Sequence, residues 1–162
     1  MGFIAFFTFF CAPACAQEGY SWSGIHALIR QNFPSVQELS TTTLHQRLQR
    51  EEVIIIDVRT REEFSVSHLK SAKNYTNKNE IIKAYQPAQE LVVYCSVGYR
   101  SAKIAQELQN SGFQNVYNLR GSIFMWANQG YPLYRANEEV FKVHPYNFTW
   151  GKLLNTRYHA YN

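Results

Sequence analysis

The chain is 162 residues long, 46% hydrophobic and 17% charged, a globular composition that excludes a disordered or low-complexity protein. Its net charge of +4 comes from scattered basic residues, with no stripe of Lys and Arg interleaved with aromatics, so nucleic-acid binding is not expected. The charge implies no more than a slight attraction for anionic substrates.

Residues 2–10 are almost wholly apolar and lead to Pro13 and Ala14-Cys15-Ala16. A short apolar core before an A-x-A site is the pattern of a cleaved secretory signal, although no Lys or Arg precedes it here. The run is shorter than the ~20 apolar residues that span a bilayer. Residues 1–16 are therefore expected to leave, giving an exported, periplasmic chain that begins near Gln17 and has no stable membrane span. A mistaken start would instead leave the protein cytoplasmic. Cleavage removes Cys11 and Cys15 and leaves Cys95 without a partner for an internal disulfide. That rules out a cysteine-based metal site. His26, His45, His68, His144 and His159 show no ligand spacing, so neither a metal nor another cofactor is expected.

Residues 17–35, rich in Ser, Gly and aromatics, read as an irregular lead-in, and residues 36–132 as one domain. Ser40 caps a helix, with Leu39 and Leu44 at the two positions of a hydrophobic staple. Val53-Ile54-Ile55-Ile56 is an unbroken β-branched run, suited to a strand buried on both faces. It ends at Asp57-Val58-Arg59, and Thr60-Arg61-Glu62-Glu63 is a capping box opening the next helix. A short strand is predicted over 72–75 and a short helix over 80–85. Leu91-Val92-Val93-Tyr94 is a second buried strand, followed by Cys95 and a helix over 101–110 that stops before Gly112. A strand over 116–119 and a helix from Ser122, ended by Gly130 and Pro132, complete the domain. Strands alternating with helices at these lengths predict an α/β fold whose mostly parallel central sheet is flanked by helices on both faces. The extension, residues 133–162, is aromatic and basic and is expected to pack on the domain; no role follows from its sequence.

In such sheets ligands bind at the carboxyl ends of the strands, where Asp57 and Cys95 both fall. A cysteine between a buried strand and a helix faces unpaired backbone N–H groups and the positive end of the helix dipole. A thiolate is favoured there, so its pKa should fall. Gly98 lets the chain turn tightly and aim donors inward. Arg100 can close the loop and is its one charged residue. The same cradle suits the additional sulfur of a persulfide.

Cys95-x-x-Gly98-x-Arg100-Ser101 resembles the active-site loop of single-domain rhodaneses, which are sulfurtransferases. Ile55-Ile56-Asp57-Val58-Arg59 with Glu62-Glu63-Phe64 is similar to that family's first signature. Ser67-His68-Leu69-Lys70-Ser71-Ala72 resembles the next, and Leu119-Arg120-Gly121 with Trp126, Gly130 and Pro132 resembles its closing segment. Glycines usual in the family are replaced by Ser67, Ser71 and Ser122. The resemblance covers about residues 36–132 and implies a rhodanese-like fold. It implies that Cys95 takes a sulfane sulfur from a donor such as thiosulfate and passes it to cyanide or a thiol, with a protein thiol as a further possible partner. It implies also that the backbone of Ser96, Val97, Gly98, Tyr99 and Arg100 holds the persulfide, that Arg100 attracts the donor, and that Asp57 and Arg59 support the site. His68 and Trp126 are expected to be packing residues.

Two other functions fit parts of this pattern. Phosphatases and arsenate reductases of the same fold also pair a cysteine with an arginine, but their loop is one residue longer and surrounds a tetrahedral oxyanion. Non-catalytic interaction modules keep the fold and often lose the cysteine.

Overall fold

The computed structural model describes residues 21–50 and 53–161. The apolar leader expected over 1–16 lies outside the described residues, as do residues 17–20. Five strands form one sheet: β1 (Gln37–Leu39), β2 (Ile54–Asp57), β3 (Lys73–Asn74), β4 (Glu90–Tyr94) and β5 (Asn115–Leu119). Their order is β1-β5-β4-β2-β3, and every pair is parallel. The apolar runs explain the centre of this order. Leu91, Val92, Val93 and Tyr94 of β4 are wholly buried, and β2 beside it is buried at Ile55, Ile56 and Asp57. Residues apolar on both faces need cover on both faces, which only the middle of a helix-flanked sheet provides.

The helices are α1 (Trp22–Asn32), α2 (Thr41–Arg47), α3 (Arg61–Val66), α4 (Lys78–Ala84), α5 (Tyr99–Gln109) and α6 (Ser122–Asn128). α5 packs against β4 and β5 and meets α1 and α4, while α2 packs with α6. The expected caps are in place: Ser40 Oγ accepts from Thr43 N at 3.0 Å, and Thr60 and Glu63 make a complete capping box on α3. Register sets Asp57 beside Tyr94, and Val93 beside Asn118. The carboxyl ends of β2, β4 and β5 therefore open on one edge of the sheet.

The reading of residues 17–35 as irregular is corrected over its described part, because Trp22–Asn32 is helical. Ser21 caps this helix by accepting from Gly24 N at 3.1 Å, and Ile25 and Ile29 are each 1% exposed. One apolar i, i+4 pair in a Ser- and Gly-containing segment is a weak local signal. The helix is held by tertiary packing, since Phe33 just past its end meets the Tyr99 ring edge-on at 5.2 Å. β1 was likewise not expected: it is three residues long, and its backbone pairing with β5 defines it.

The extension beyond residue 132 is ordered. Antiparallel β6 (Leu133–Arg135) and β7 (Glu138–Val140) form a hairpin, followed by α7 (Phe148–Gly151) and a 3₁₀ turn at Thr156–Tyr158. Val143, Leu153, Leu154 and Tyr158 are buried, and Asn128 of α6 bonds Leu153 O at 2.8 Å and Asn155 N at 2.8 Å. No helix among the described residues is long and apolar enough to cross a membrane.

Two of the serines that replace family glycines stand in left-handed backbone, Ser71 at φ 60° and Ser122 at φ 51°. That conformation crowds Cβ against the carbonyl and costs an L-residue about 1–2 kcal/mol. Ser71 is exposed. We expect Ser71→Gly to raise stability by about 0.5–1 kcal/mol in urea unfolding, the relief of strain exceeding the added freedom of the unfolded chain. A loss of stability would contradict it.

Candidate functional site

Cys95 follows β4 directly, and the loop from it ends at Gly98, whose φ of 109° turns the chain into α5. A glycine is needed here because L-residues rarely adopt that φ, and a Cβ would also stand 3.3 Å from Ile29 Cδ1. No side chain caps α5. The Cys95 sulfur lies against the start of this helix instead, and Gly98 N donates to Sγ at 3.2 Å. The loop carbonyls point away. Cys95 O accepts from Ile123 N at 3.2 Å and Ser96 O from Phe124 N at 3.1 Å, so donors at the start of α6 are satisfied by the loop. Ser122 Oγ accepts from Cys95 N at 3.1 Å and donates to Leu119 O at 3.1 Å. Its side chain thus anchors the loop, a task no glycine at that position could perform.

Arg100 closes the loop, and its charge is paired. Its Nη1 and Nη2 donate to the two carboxylate oxygens of Glu63 at 2.8 and 2.7 Å, and Nη2 also donates to Ser96 Oγ at 2.9 Å. Ser96 Oγ in turn donates to Glu63 Oε1 at 2.8 Å, and Glu63 Oε2 accepts from Thr60 N at 3.1 Å. Burial pushes the Glu63 carboxyl up, but the hydrogen bonds and charge of Arg100 outweigh it and hold the group down at about 2. The same pairing raises Arg100 above its ordinary value against its own burial. Glu63 was legible as a capping-box residue; its bond to Arg100, 37 positions away, was not.

Cys95 is 1% exposed, and it faces a cavity of about 150 Å³. The walls are residues 95–97, 99 and 100 from the loop, together with Tyr146 and Trp150 from the extension. A larger cleft of about 530 Å³ lies away from the site, between Leu48, Ile54, Lys73 and Tyr85, and its lining holds no cysteine or histidine. Burial pushes the Cys95 thiol up. Arg100, the Ser101 hydroxyl and the N–H groups of Ser101 and Gly98 pull it down, and the net position is below the ordinary value. Ser101 Oγ has one proton and three acceptors: Asn118 Oδ1 at 2.6 Å, Gly98 O at 3.2 Å and Cys95 Sγ at 3.5 Å.

Asp57 and Arg59 do not line the cavity. Both side chains are fully buried, with Arg59 Nη2 donating to Asp57 Oδ2 at 2.6 Å and to Ser67 O at 2.6 Å. They pin both ends of the segment carrying α3, and hence Glu63. His68 is buried, with its ring stacked on Phe64 at 4.3 Å, and Trp126 donates from Nε1 to Pro132 O at 2.9 Å. Tyr146 and Trp150 had no site signal in the sequence, because nothing local links residue 146 to residue 100.

Residues 40–129 match the rhodanese-like domain family, and the chain belongs to that family. A sulfurtransferase of Allochromatium vinosum is 32% identical over 105 residues, covering 60% of this chain and 94% of the relative. The thiosulfate sulfurtransferase GlpE of Actinobacillus succinogenes is 31% identical over 101 residues, covering 61% and 91%. Among solved structures, a rhodanese-like domain protein of Staphylococcus aureus superposes with a TM-score of 0.53 at 26% identity, covering 56% of this chain and 91% of that one.

The thiol environment predicts an order of effects. Arg100→Ala and Ser101→Ala should both raise the Cys95 pKa, Arg100→Ala by more, because charge contributes more there than the hydroxyl. The pH dependence of iodoacetamide alkylation reads this directly. The thiolate fraction is full above the pKa and falls below it, so each variant should need a higher pH for half-maximal alkylation. Unmoved profiles would show that neither group stabilises the thiolate.

Proposed function

We propose that the protein is a sulfurtransferase that carries a sulfane sulfur as a persulfide on Cys95. The Cys95 thiolate attacks the terminal sulfur of a donor such as thiosulfate. A Cys95 S–S bond forms, the donor's S–S bond breaks, and sulfite leaves with the bonding electron pair. Cyanide or a thiolate then attacks the outer sulfur and leaves with it, returning the Cys95 thiolate. No net oxidation is required, and the persulfide keeps one negative charge throughout.

The observation that carries this reading is Cys95 in the cavity lining with Gly98 N donating to its sulfur at 3.2 Å, and the net pull on the thiol below its ordinary value agrees with it. A thiolate must be both ionised and reachable to attack a sulfane sulfur. In this reading the backbone of residues 96–100 surrounds the added sulfur and Arg100 holds the loop closed. Family membership and the names of the relatives support sulfur transfer, and two relatives named thiosulfate sulfurtransferase support thiosulfate as a donor. Four residues separate Cys95 from Arg100, which suits one sulfur atom better than a tetrahedral oxyanion.

Intact-protein mass spectrometry after thiosulfate should show a gain of one sulfur atom, reversed by cyanide, and Cys95→Ser should show neither. Aryl-phosphate hydrolysis without any sulfur uptake would replace this reading with the phosphatase one.

We propose also that residues 1–16 direct export. Protein recovered from a bacterial periplasm should then begin near Gln17, and recovery with Met1 intact in the cytoplasm would sink the export proposal alone.

A further inference from the structure

We infer that the carboxyl-terminal extension makes this site selective for sulfur donors with an apolar body and a single negative charge, such as organic thiosulfonates, over dianionic thiosulfate. The inference rests on the sulfur-transfer reading above and adds the substrate class.

Two independent observations carry it. The first is how the Arg100 charge is used. Both guanidinium Nη groups are committed to Glu63, which is buried, and Arg100 is the one charged side chain lining the cavity. With Cys95 ionised, the local charges are those of the thiolate, Arg100 and Glu63, and they sum to minus one. The buried Asp57–Arg59 pair adds none. An incoming anion is therefore repelled, and a dianion about twice as strongly as a monoanion at the same distance.

The second observation is what the extension adds to the cavity. Tyr146 and Trp150 line it together with Val97 and Tyr99. Tyr146 covers the remaining face of Arg100, with the guanidinium carbon 4.5 Å from its ring centroid. It is held there in left-handed backbone, φ 64°, with its N–H donating to His144 Nδ1 at 3.0 Å. For a bulky side chain this is a strained conformation, maintained only where the surroundings dictate it. They do so here. Val143 pairs with the chain near Tyr158 through hydrogen bonds of 2.7 and 3.1 Å, and Asn147 caps α7 by accepting from Trp150 N at 2.9 Å. The result is a small pocket lined by the reactive cysteine and by aromatic rings of the extension. An aryl or alkyl group on the donor can bury against those rings, while the three oxygens of thiosulfate find no unpaired cation in the lining.

The transfer step balances as before. The Cys95 thiolate attacks the terminal sulfur of R–SO₂–S⁻, the S–S bond of the donor breaks, and R–SO₂⁻ departs with the electron pair. Charge is minus two on each side, against minus three for thiosulfate.

The test compares thiosulfate, methanethiosulfonate and benzenethiosulfonate as donors, with cyanide as acceptor and thiocyanate as readout. In the wild type kcat/KM should rise along that series, by about tenfold from methanethiosulfonate to benzenethiosulfonate, as expected for burying one ring. Benzenesulfinate should also inhibit at lower concentration than sulfite, a comparison that needs no variant. Tyr146→Ala and Trp150→Ala should each cut the benzene-to-methane ratio at least fivefold, while Tyr146→Phe and Trp150→Phe keep it within twofold. Equal or better use of thiosulfate by the wild type, sulfite inhibiting as well as benzenesulfinate, or ratios unmoved in folded alanine variants would overturn this inference and leave sulfur transfer standing. Failure of every donor to load Cys95 would overturn the sulfur-transfer reading itself.

Discussion

The site is organised around one carboxylate. Glu63 completes the capping box of α3, accepts both Nη groups of Arg100 and accepts Ser96 Oγ. It is only 2% exposed, so its charge must be matched by partners that cannot wander. Arg100 keeps 31% of its side chain exposed, so the pair is part-buried, and removing the arginine would leave the buried carboxylate without its cation. That rigidity passes to the loop. With Arg100 and Ser96 fixed, the peptide groups between Cys95 and α5 have little freedom, and Gly98 N–H stays within 3.2 Å of the sulfur. A second buried ion pair, Asp57 with Arg59, secures the segment from which α3 starts. Ionic structure here serves position, and the Arg100 charge that it fixes also pulls the Cys95 thiol down.

The loop is fixed from behind by a different device. β4 delivers Cys95 to the sheet edge, and the start of α6 takes the carbonyls of Cys95 and Ser96. Two groups that are costly to leave unpaired when buried, helix-start N–H and loop C=O, satisfy one another. Ser122 tolerates left-handed backbone at this junction and anchors the Cys95 amide through its hydroxyl. Strain and hydrogen bonding therefore meet at one residue, as is common where structure over-determines a site.

The extension changes the site from an open loop to a walled cavity. It is attached through Asn128, through the pairing of His68 with Tyr134, and through its own small apolar cluster. Its Tyr146 ring lies over an arginine whose two Nη groups bond Glu63 and Ser96 inside the domain. An arginine face over an aromatic ring remains favourable after its edge donors are used. The domain thus supplies the cysteine loop, and the extension supplies two aromatic residues of the cavity lining.

Much of the fold was determined locally. The runs Ile54-Ile55-Ile56 and Leu91-Val92-Val93-Tyr94 require burial on both faces, and Ser40, Thr60 and Gly112 mark helix ends by backbone chemistry that acts over a few residues. A cysteine and a glycine three positions apart after a buried strand define a thiolate cradle for the same local reason. What the sequence could not specify is contact between distant segments. The helix Trp22–Asn32 and the strand Gln37–Leu39 have weak patterns and exist because α5 and β5 offer them partners. Glu63 meets Arg100, and Tyr146 meets the same arginine from the opposite end of the chain, only when the sheet has brought their elements to one edge. Hydrophobic period and capping are properties of neighbouring residues; charge pairing and a cavity wall are properties of the completed fold.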